Sequence, residues 1–185
     1  ISPAQPIHLV IASEGTPAAT YTRSAVLLEQ GAELTLIEEH LGMAECVSNT
    51  ALVFKLDPAA RLSHVRVNRN GLNQVHVGNL TGTLDRDSNY QGLFFTTGGL
   101  TRIDTSLRQT GENAEISLNG TYLLKDREHC DNTVVVDHAV PHGTSNQNFK
   151  GVLAGASRGV VQDKIIVDII TLDSEACAPC QYMVD

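Results

Sequence analysis

The sequence predicts an all-β fold, and three observations lead to this prediction. Apolar residues recur at every second position in short segments such as 103–107 and 116–124. Because successive side chains of a strand point to opposite faces, this period of two places one face in a core and the other in water. Turn-forming pairs such as Asn70-Gly71 and Gly98-Gly99 separate the segments. No long window carries an apolar helical stripe, and the short candidate at 22–28 reads equally well as a strand.

The alternating segments follow one another closely along the chain. Val65 and Val67 alternate with polar residues, and Val75 and Val77 flank His76. We expect the valine faces of these segments to point into the core. Further along, two apolar runs at 134–136 and 165–167 bracket a stretch rich in Gly, Ser and Asn. Residues that share the face opposite Val65 and Val67 are expected in water: His64, Arg66 and Asn68.

A faint internal repeat accompanies the strands. Ala32, Ala60 and Ala114 each follow a turn and precede a charged residue and an aliphatic one, at intervals of about 28 and about 54 residues. Such a period is typical of stacked-coil proteins, in which small residues occupy the tight corners. A β-sandwich also has strands at regular spacing, so the repeat leaves a β-helix and a sandwich as alternatives.

Composition limits the classes of function. A chain of 185 residues with 42% hydrophobic residues can form one domain with a sizeable core. The net charge of −8 and the lack of a basic cluster argue against nucleic-acid binding. No apolar run is long enough for a membrane helix, and no signal peptide is visible. Four cysteines are too few for a disulfide scaffold, so we expect a reducing, cytoplasmic location.

Three residues are candidate metal ligands. Cys130, His138 and His142 combine a thiol with two imidazoles, a set that suits zinc or iron. His138 shares its strand face with Val134 and Val136, so a hydrogen-bonded histidine at the edge of the core is the alternative. Asp137 and His138 are adjacent on a predicted strand and face opposite sides, so they cannot form a catalytic relay with Ser145.

A second cysteine motif lies near the end of the chain. Cys177-Ala178-Pro179-Cys180 follows an apolar run, as in the redox turn of thioredoxin-like proteins. Only five residues follow it, too few for the rest of that fold, and two thiols alone do not complete a zinc site. A redox pair and a diverged tail are both open interpretations.

Read together, the motifs resemble a known family. The segments 29–40, 60–67, 100–104, 114–120 and the start of 136–165 occur in the order found in the SufB/SufD family of iron–sulfur cluster assembly proteins, on its SufD side. The resemblance covers about residues 7–167. It departs from the family pattern at Val161-Gln162-Asp163 and after Val167. We therefore expect a core domain at 1–167 and a divergent tail at 168–185.

The resemblance implies a fold and a role. The fold is a right-handed parallel β-helix, and the role is a non-catalytic scaffold subunit that pairs with a SufB-like subunit and an ATPase of the SufC type. It implies no cofactor in this chain itself and an iron–sulfur cluster in the assembled complex. The late Cys/His motif and the C-terminal helical domain of the family are not seen in these residues.

The sequence also leaves two alternative functions open and indicates where another chain could bind. A carbohydrate-active β-helix enzyme is poorly supported because the chain has no Trp, four Phe and four Tyr. A thiol redox module would use Cys177 and Cys180. The row Arg102, Asp104, Ser106 and Arg108 is expected to be a solvated strand face or a partner surface. An exposed end of a β-helix needs a cap or another chain, so we also expect a dimer, with a homodimer among the arrangements.

Overall fold

A computed structural model describes residues 5–13, 19–42, 45–167, 175–177 and 180–184, with side chains described up to residue 167. Every regular element in these residues is a β-strand. The fourteen strands are β1 (Ile7–Ser13), β2 (Ala19–Leu28), β3 (Glu33–Gly42), β4 (Val47–Leu56), β5 (Arg61–Arg69), β6 (Val75–Leu84), β7 (Asn89–Thr97), β8 (Leu100–Gln109), β9 (Glu115–Leu124), β10 (His129–His138), β11 (Thr144–Leu153), β12 (Arg158–Val167), β13 (Glu175–Cys177) and β14 (Cys180–Val184).

The strands form two parallel sheets that face each other. Sheet A has the order β1-β3-β5-β7-β9-β11-β13, with β14 also paired to β11, and sheet B has the order β12-β10-β8-β6-β4-β2. Apart from β14, each strand therefore pairs with the strand two places along the chain, and the backbone winds through about six coils of a β-solenoid. The parallel β-helix implied by the resemblance is confirmed. The β-sandwich alternative is wrong because β1 to β12 alternate between the sheets and pair in parallel with strands two places away.

One corner of the solenoid repeats the same backbone shape in successive coils. At the corner that leads from sheet B to sheet A, one residue per coil has a positive φ of about 60°. A backbone N–H in each of three corners donates to a carbonyl of the next, as from Gly31 to Pro58 and from Ala59 to Arg86. The residue after the positive φ is always small, which confirms the repeat seen in the sequence. The pairs are Gly31-Ala32, Ala59-Ala60, Asp87-Ser88, Asn113-Ala114 and His142-Gly143.

Inward-facing side chains of both sheets fill the solenoid. The alternation predicted for β8 and β9 is confirmed, since Ile103, Leu107, Ile116 and Leu118 are buried. Glycines make room for rings: a Cβ at Gly82 would lie 2.1 Å from the ring of Phe54. The apolar core comprises Leu34, Leu36, Leu52, Phe54, Leu56, Ala60, Leu62, Leu80, Leu84, Tyr90, Phe94, Leu107, Ala114, Ile116, Leu118, Val134, Val136 and Phe149.

The expected orientation of β5 and β6 is wrong. Val65, Val67, Val75 and Val77 face outward and are half-buried. The residues expected in water are buried instead: His64, Arg66, Asn68 and His76. A period of two identifies the two faces of a strand, but it does not say which face is inside when polar groups can bind one another there.

The stretch between the two apolar runs contains a strand that the sequence did not show. β11 carries the polar sequence TSNQNFKGVL, with Ser145, Gln147 and Phe149 facing inward. It pairs in register with β9 over ten positions. Tertiary pairing therefore imposes a strand on residues with weak strand propensity.

After residue 167, β13 and β14 extend sheet A by parallel pairing with β11. The boundary predicted at 167 stays a prediction. Among the described residues, no helix is long and apolar enough to cross a membrane.

Candidate functional site

The largest group of buried ionisable side chains lies inside the N-terminal coils. We call it the Arg66 cluster; each member is at most 2% exposed, and it consists of Glu38, His40, His64, Arg66 and His76. β3, β5 and β6 supply these residues from positions that alternate inward. Glu38 and Arg66 are register partners on neighbouring strands, so the parallel pairing itself brings the opposite charges together.

The Glu38 carboxylate binds two imidazoles. Its Oε1 lies 2.8 Å from His40 Nε2, and its Oε2 lies 3.0 Å from His64 Nε2. A carboxylate only accepts hydrogen bonds, so both histidines donate from Nε2. His64 Nδ1 lies 3.2 Å from the Tyr90 hydroxyl. His64 thus links Glu38 to Tyr90 in one chain of buried hydrogen bonds.

Arg66 lies on the other side of the carboxylate. Its Nε is 3.8 Å from Glu38 Oε2, and its Nη2 donates to Thr50 Oγ1 at 3.1 Å. His76 Nε2 is 3.4 Å from the same Nη2 and can only be its acceptor there. The His40 and His76 rings are also in contact, with centroids 4.8 Å apart.

Burial and charge set the ionisation of the cluster. Burial alone would raise the pKa of Glu38, but the Arg66 charge and the hydrogen bonds from His40 and His64 hold it well below its usual range. Burial lowers the pKa of His76 to about 2, and the Arg66 charge adds to this effect. Burial also lowers the pKa of His40 against the opposing bond to Glu38. At neutral pH the cluster therefore holds the Glu38 anion and the Arg66 cation, and His40 and His76 are neutral.

This arrangement suits a structural role. All five side chains point into the packed interior, where a substrate cannot reach them without opening the coils. Within residues 5–13, 19–42 and 45–167, no three His, Cys, Asp or Glu side chains form a group placed to hold a metal ion. The Arg66 guanidinium beside the imidazoles would also repel a cation.

The structure separates the three predicted metal ligands. Cys130 and His138 lie at opposite ends of β10, about 26 Å apart at the usual rise per residue. His142 is the exposed positive-φ residue of the last corner. Burial raises the pKa of the Cys130 thiol to about 12, and Asn132 Nδ2 donates to its sulfur at 3.2 Å. One ion could not touch Cys130 and His138 together in this fold, and metal binding by any of the three stays a prediction.

His138 occupies the place that its strand face indicates. It is fully buried, and its Nε2 lies 2.8 Å from Ser145 Oγ. Asp137 faces the other side of sheet B and pairs with Arg108 Nε at 3.2 Å. The prediction that these residues cannot form a catalytic relay is therefore confirmed. The side chains of Cys177 and Cys180 lie outside the described part of the structure, as do residues 178 and 179 between them.

Ion pairs and an open depression lie on the outer faces of the sheets. Arg102 binds Asp104 and Asp131 at 3.1 and 3.2 Å, and it is half exposed. The row around Arg102 is thus exposed on an outer strand face, and its use as a partner surface stays a prediction. On the outer face of sheet A, a shallow open depression is lined by Glu33, Arg61, Asn89 and Gln91 among others. It holds an exposed Arg61–Glu33 ion pair at 3.7 Å.

Sequence reasoning missed the Arg66 cluster, although a signal for it is present. Alignment of the coils on the repeated alanines places Glu38 over Arg66 and His40 over Asn68. Opposite charges that coincide at one position of a repeat indicate a buried pair more strongly than either residue alone.

Comparison with known proteins gives the family. Residues 9–183 match the SufBD core domain of the SUF system for FeS cluster assembly. A SufBD family protein of Mycobacterium tuberculosis is 28% identical over 152 residues, which cover 82% of this chain and 38% of the relative. SufD of Escherichia coli is 26% identical over 173 residues, covering 89% of this chain and 41% of the relative. The chain thus spans about two fifths of the length of these relatives. It belongs to the SufB/SufD family of iron–sulfur cluster assembly proteins and corresponds to their core domain.

Proposed function

We propose that this chain is the scaffold core of an iron–sulfur cluster assembly complex and that it acts through protein contacts without catalysing a reaction. The observation that carries the proposal is the family match over residues 9–183, which spans nearly the whole solenoid. The relatives bear the name of cluster assembly proteins, and this chain shares their core.

The shape of the solenoid supports a scaffold role. Five of its ionisable side chains are buried together in the Arg66 cluster, and its outer sheet faces carry surface ion pairs. Wide outer sheet faces suit binding to another protein better than enclosure of a small substrate. The partners proposed for it are a SufB-like subunit and an ATPase of the SufC type, with cytoplasmic location and a cluster held by the assembled complex.

The ends of the solenoid are the proposed sites of association. Among the described residues, β12 pairs only with β10, and β2 pairs only with β4. A free strand edge presents backbone donors and acceptors that another chain can bind. The hydrophobic side chains Ile166 and Val167 are also exposed on β12.

Co-purification tests the proposal. The full-length protein that carries this core is expressed with a tag, together with the SufB-like and ATPase subunits of the same genome. We expect all three to elute together and to support cluster formation from iron and sulfide. A tagged β-solenoid of an unrelated family serves as control. Failure of the partners to bind the tagged protein would overturn the scaffold role, and turnover of an acidic polysaccharide would favour the carbohydrate-active alternative.

A further inference from the structure

The charges of the Arg66 cluster are balanced, so an added proton would leave a positive charge without a counter-charge. It contains one carboxylate, Glu38, and one guanidinium, Arg66, both almost fully buried. His76 Nε2 already accepts from Arg66 Nη2, at 3.4 Å. A proton on His76 would create a second cation beside Arg66 in a site of low dielectric constant.

We propose that the coils formed by β3 to β6 are an acid-triggered conformational switch, in which protonation of His40 and His76 opens these coils while the coil that contains β10 stays closed.

The charged and titratable groups around the two imidazoles are few. In the described structure, β3 contributes Glu38, β5 contributes His64 and Arg66, and β7 contributes Tyr90. The facing residues of β4 and β8 are hydroxyl side chains: Ser48, Thr50 and Thr101. Glu38 is the one anion in this set, and its two oxygens already bind His40 and His64. It cannot neutralise Arg66 and two imidazolium ions together.

The direction of the pH effect follows from proton binding. In the closed coils the pKa values of His40 and His76 are lowered by burial. In opened coils both imidazoles return to an ordinary pKa of about 6.5 and take up protons below it. The open state therefore binds more protons, and acid favours it. His76 raises the open population about tenfold per pH unit below about 6.5, and His40 adds to the rise in the same direction.

The solenoid allows one region to open without the rest. Coils contact only their neighbours, so the stability of such a fold is approximately a sum of local contributions. The interior of the later coils combines apolar residues such as Leu107, Val136 and Phe149 with uncharged polar residues such as Gln109 and Gln147. His138 is the one imidazole in the described part of β10 that faces inward, and it contacts the Ser145 hydroxyl and the backbone of Gly143. Protonation at low pH therefore adds fewer positive charges to the interior of these coils than to the Arg66 cluster.

Two native cysteines report on the two regions. Cys46 precedes β4 and is 7% exposed, whereas Cys130 lies on β10 and is fully buried. The protein is treated with a pyridyl disulfide reagent at about pH 7.5 and about pH 5, and the labelled peptides are identified by mass spectrometry. Each rate is divided by that of an unstructured cysteine peptide at the same pH. We expect the normalised Cys46 rate to rise at least about 30-fold on acidification, and at least about tenfold more than the Cys130 rate.

Substitutions test the role of the imidazoles. The double variant His40→Gln/His76→Gln removes both titrating groups and is expected to abolish the acid effect on Cys46. His8→Gln, which removes an exposed imidazole bound to Glu39, is the matched control and should behave as the parent. A Cys46 rate independent of pH would overturn the proposal, as would an equal rise at Cys130 or an unchanged acid effect in the double variant. The comparison of the two cysteines in the parent decides the matter even where the double variant fails to fold.

Discussion

The guanidinium of Arg66 lies directly against the backbone of Gly78. A Cβ at Gly78 would be 2.5 Å from Arg66 Nη2 and 3.2 Å from His76 Nε2. The absence of a side chain at this position of β6 is therefore what allows a large cation to fit between the sheets. The Arg66 cluster depends on a glycine of the opposite sheet as well as on its own polar members.

The substitution Gly78→Ala is predicted to destabilise the fold. The added methyl group must displace the buried guanidinium, so we expect a loss of about 1–3 kcal/mol in the free energy of unfolding. Urea denaturation at neutral pH measures it. Gly31→Ala is the control, because Gly31 has a positive φ but nothing within 4 Å. That variant should lose about 1–2 kcal/mol from backbone strain alone while leaving the chemical shifts of the His76 imidazole unchanged. An unperturbed His76 in Gly78→Ala would contradict the predicted clash.

The Glu38 carboxylate is predicted to be essential for stability. Glu38→Gln leaves Arg66 buried without its counter-charge, and removal of one partner of a buried pair costs about 3–5 kcal/mol. The neighbouring Glu39→Gln removes a half-buried carboxylate whose partners, His8 and Arg69, are both exposed, and it should change stability by less than about 1 kcal/mol. Denaturation of both variants under one condition gives the comparison. Equal effects would show that Glu38 does not stabilise Arg66.

Acid is predicted to lower the free energy of unfolding. His76 has a folded pKa of about 2 and an ordinary one of 6.5, so the unfolded chain binds its proton first. Stability is fully present above about pH 6.5 and falls on acidification by about 1.4 kcal/mol per pH unit from this imidazole. Glu38 adds to the loss below its ordinary pKa of 4.5, because its folded pKa is lowered. Urea denaturation between about pH 7.5 and pH 5 measures the slope, which His76→Gln should reduce. A stability that is flat over this window would contradict the prediction.

The repeated corner predicts a stabilising change. Ala59 has a φ of 60°, a backbone conformation that costs a residue with a Cβ about 1–2 kcal/mol. Ala59→Gly relieves that strain at some cost in chain entropy, so we expect a net gain below about 1 kcal/mol. Ala60→Gly is the matched control: Ala60 is fully buried and should lose stability. The melting temperatures of the two variants should shift in opposite directions.

Cys130 is predicted to be inert in the folded protein. Burial raises the pKa of its thiol to about 12, and only the thiolate is a good nucleophile. Iodoacetamide at about pH 8 should leave Cys130 unmodified in the native protein and modify it fully in denaturant. Peptide mass spectrometry distinguishes it from the other cysteines. Rapid native alkylation would mean that β10 is not held in place by its neighbours.

The strand architecture could be predicted from the sequence more completely than the set of side chains that fill the interior. Small residues at Ala32, Ala60 and Ala114 indicated stacked corners, because only a small side chain fits where one coil lies on the next. In β8 and β9 the alternation was sufficient to identify the inward face, because the apolar residues of each strand lie on one face. β5 could not be oriented in the same way: Val65 and Val67 lie outside, and the polar face is buried because its charges meet partners on β3 and β6.

The metal-ligand prediction shows a different limit. Cys130, His138 and His142 are close in sequence, but an extended strand carries the first two apart and a corner turns the third outward. Proximity along a strand therefore says little about proximity in space. The residues that do converge are separated by whole coils, as in the contact of Glu38 with His64, 26 residues away.

Coil length varies although the strands stay in register. Hydrogen bonds between adjacent coils join residues 28 apart at Asn68–Thr96, 26 apart at Asn89–Glu115 and 29 apart at Arg102–Asp131. The corners therefore absorb the differences. During evolution, insertions and deletions can accumulate there at little cost, whereas one extra residue within a strand would turn every following inward side chain of that strand outward. Divergence of this family should thus be concentrated in corner length, with the strand segments conserved in size.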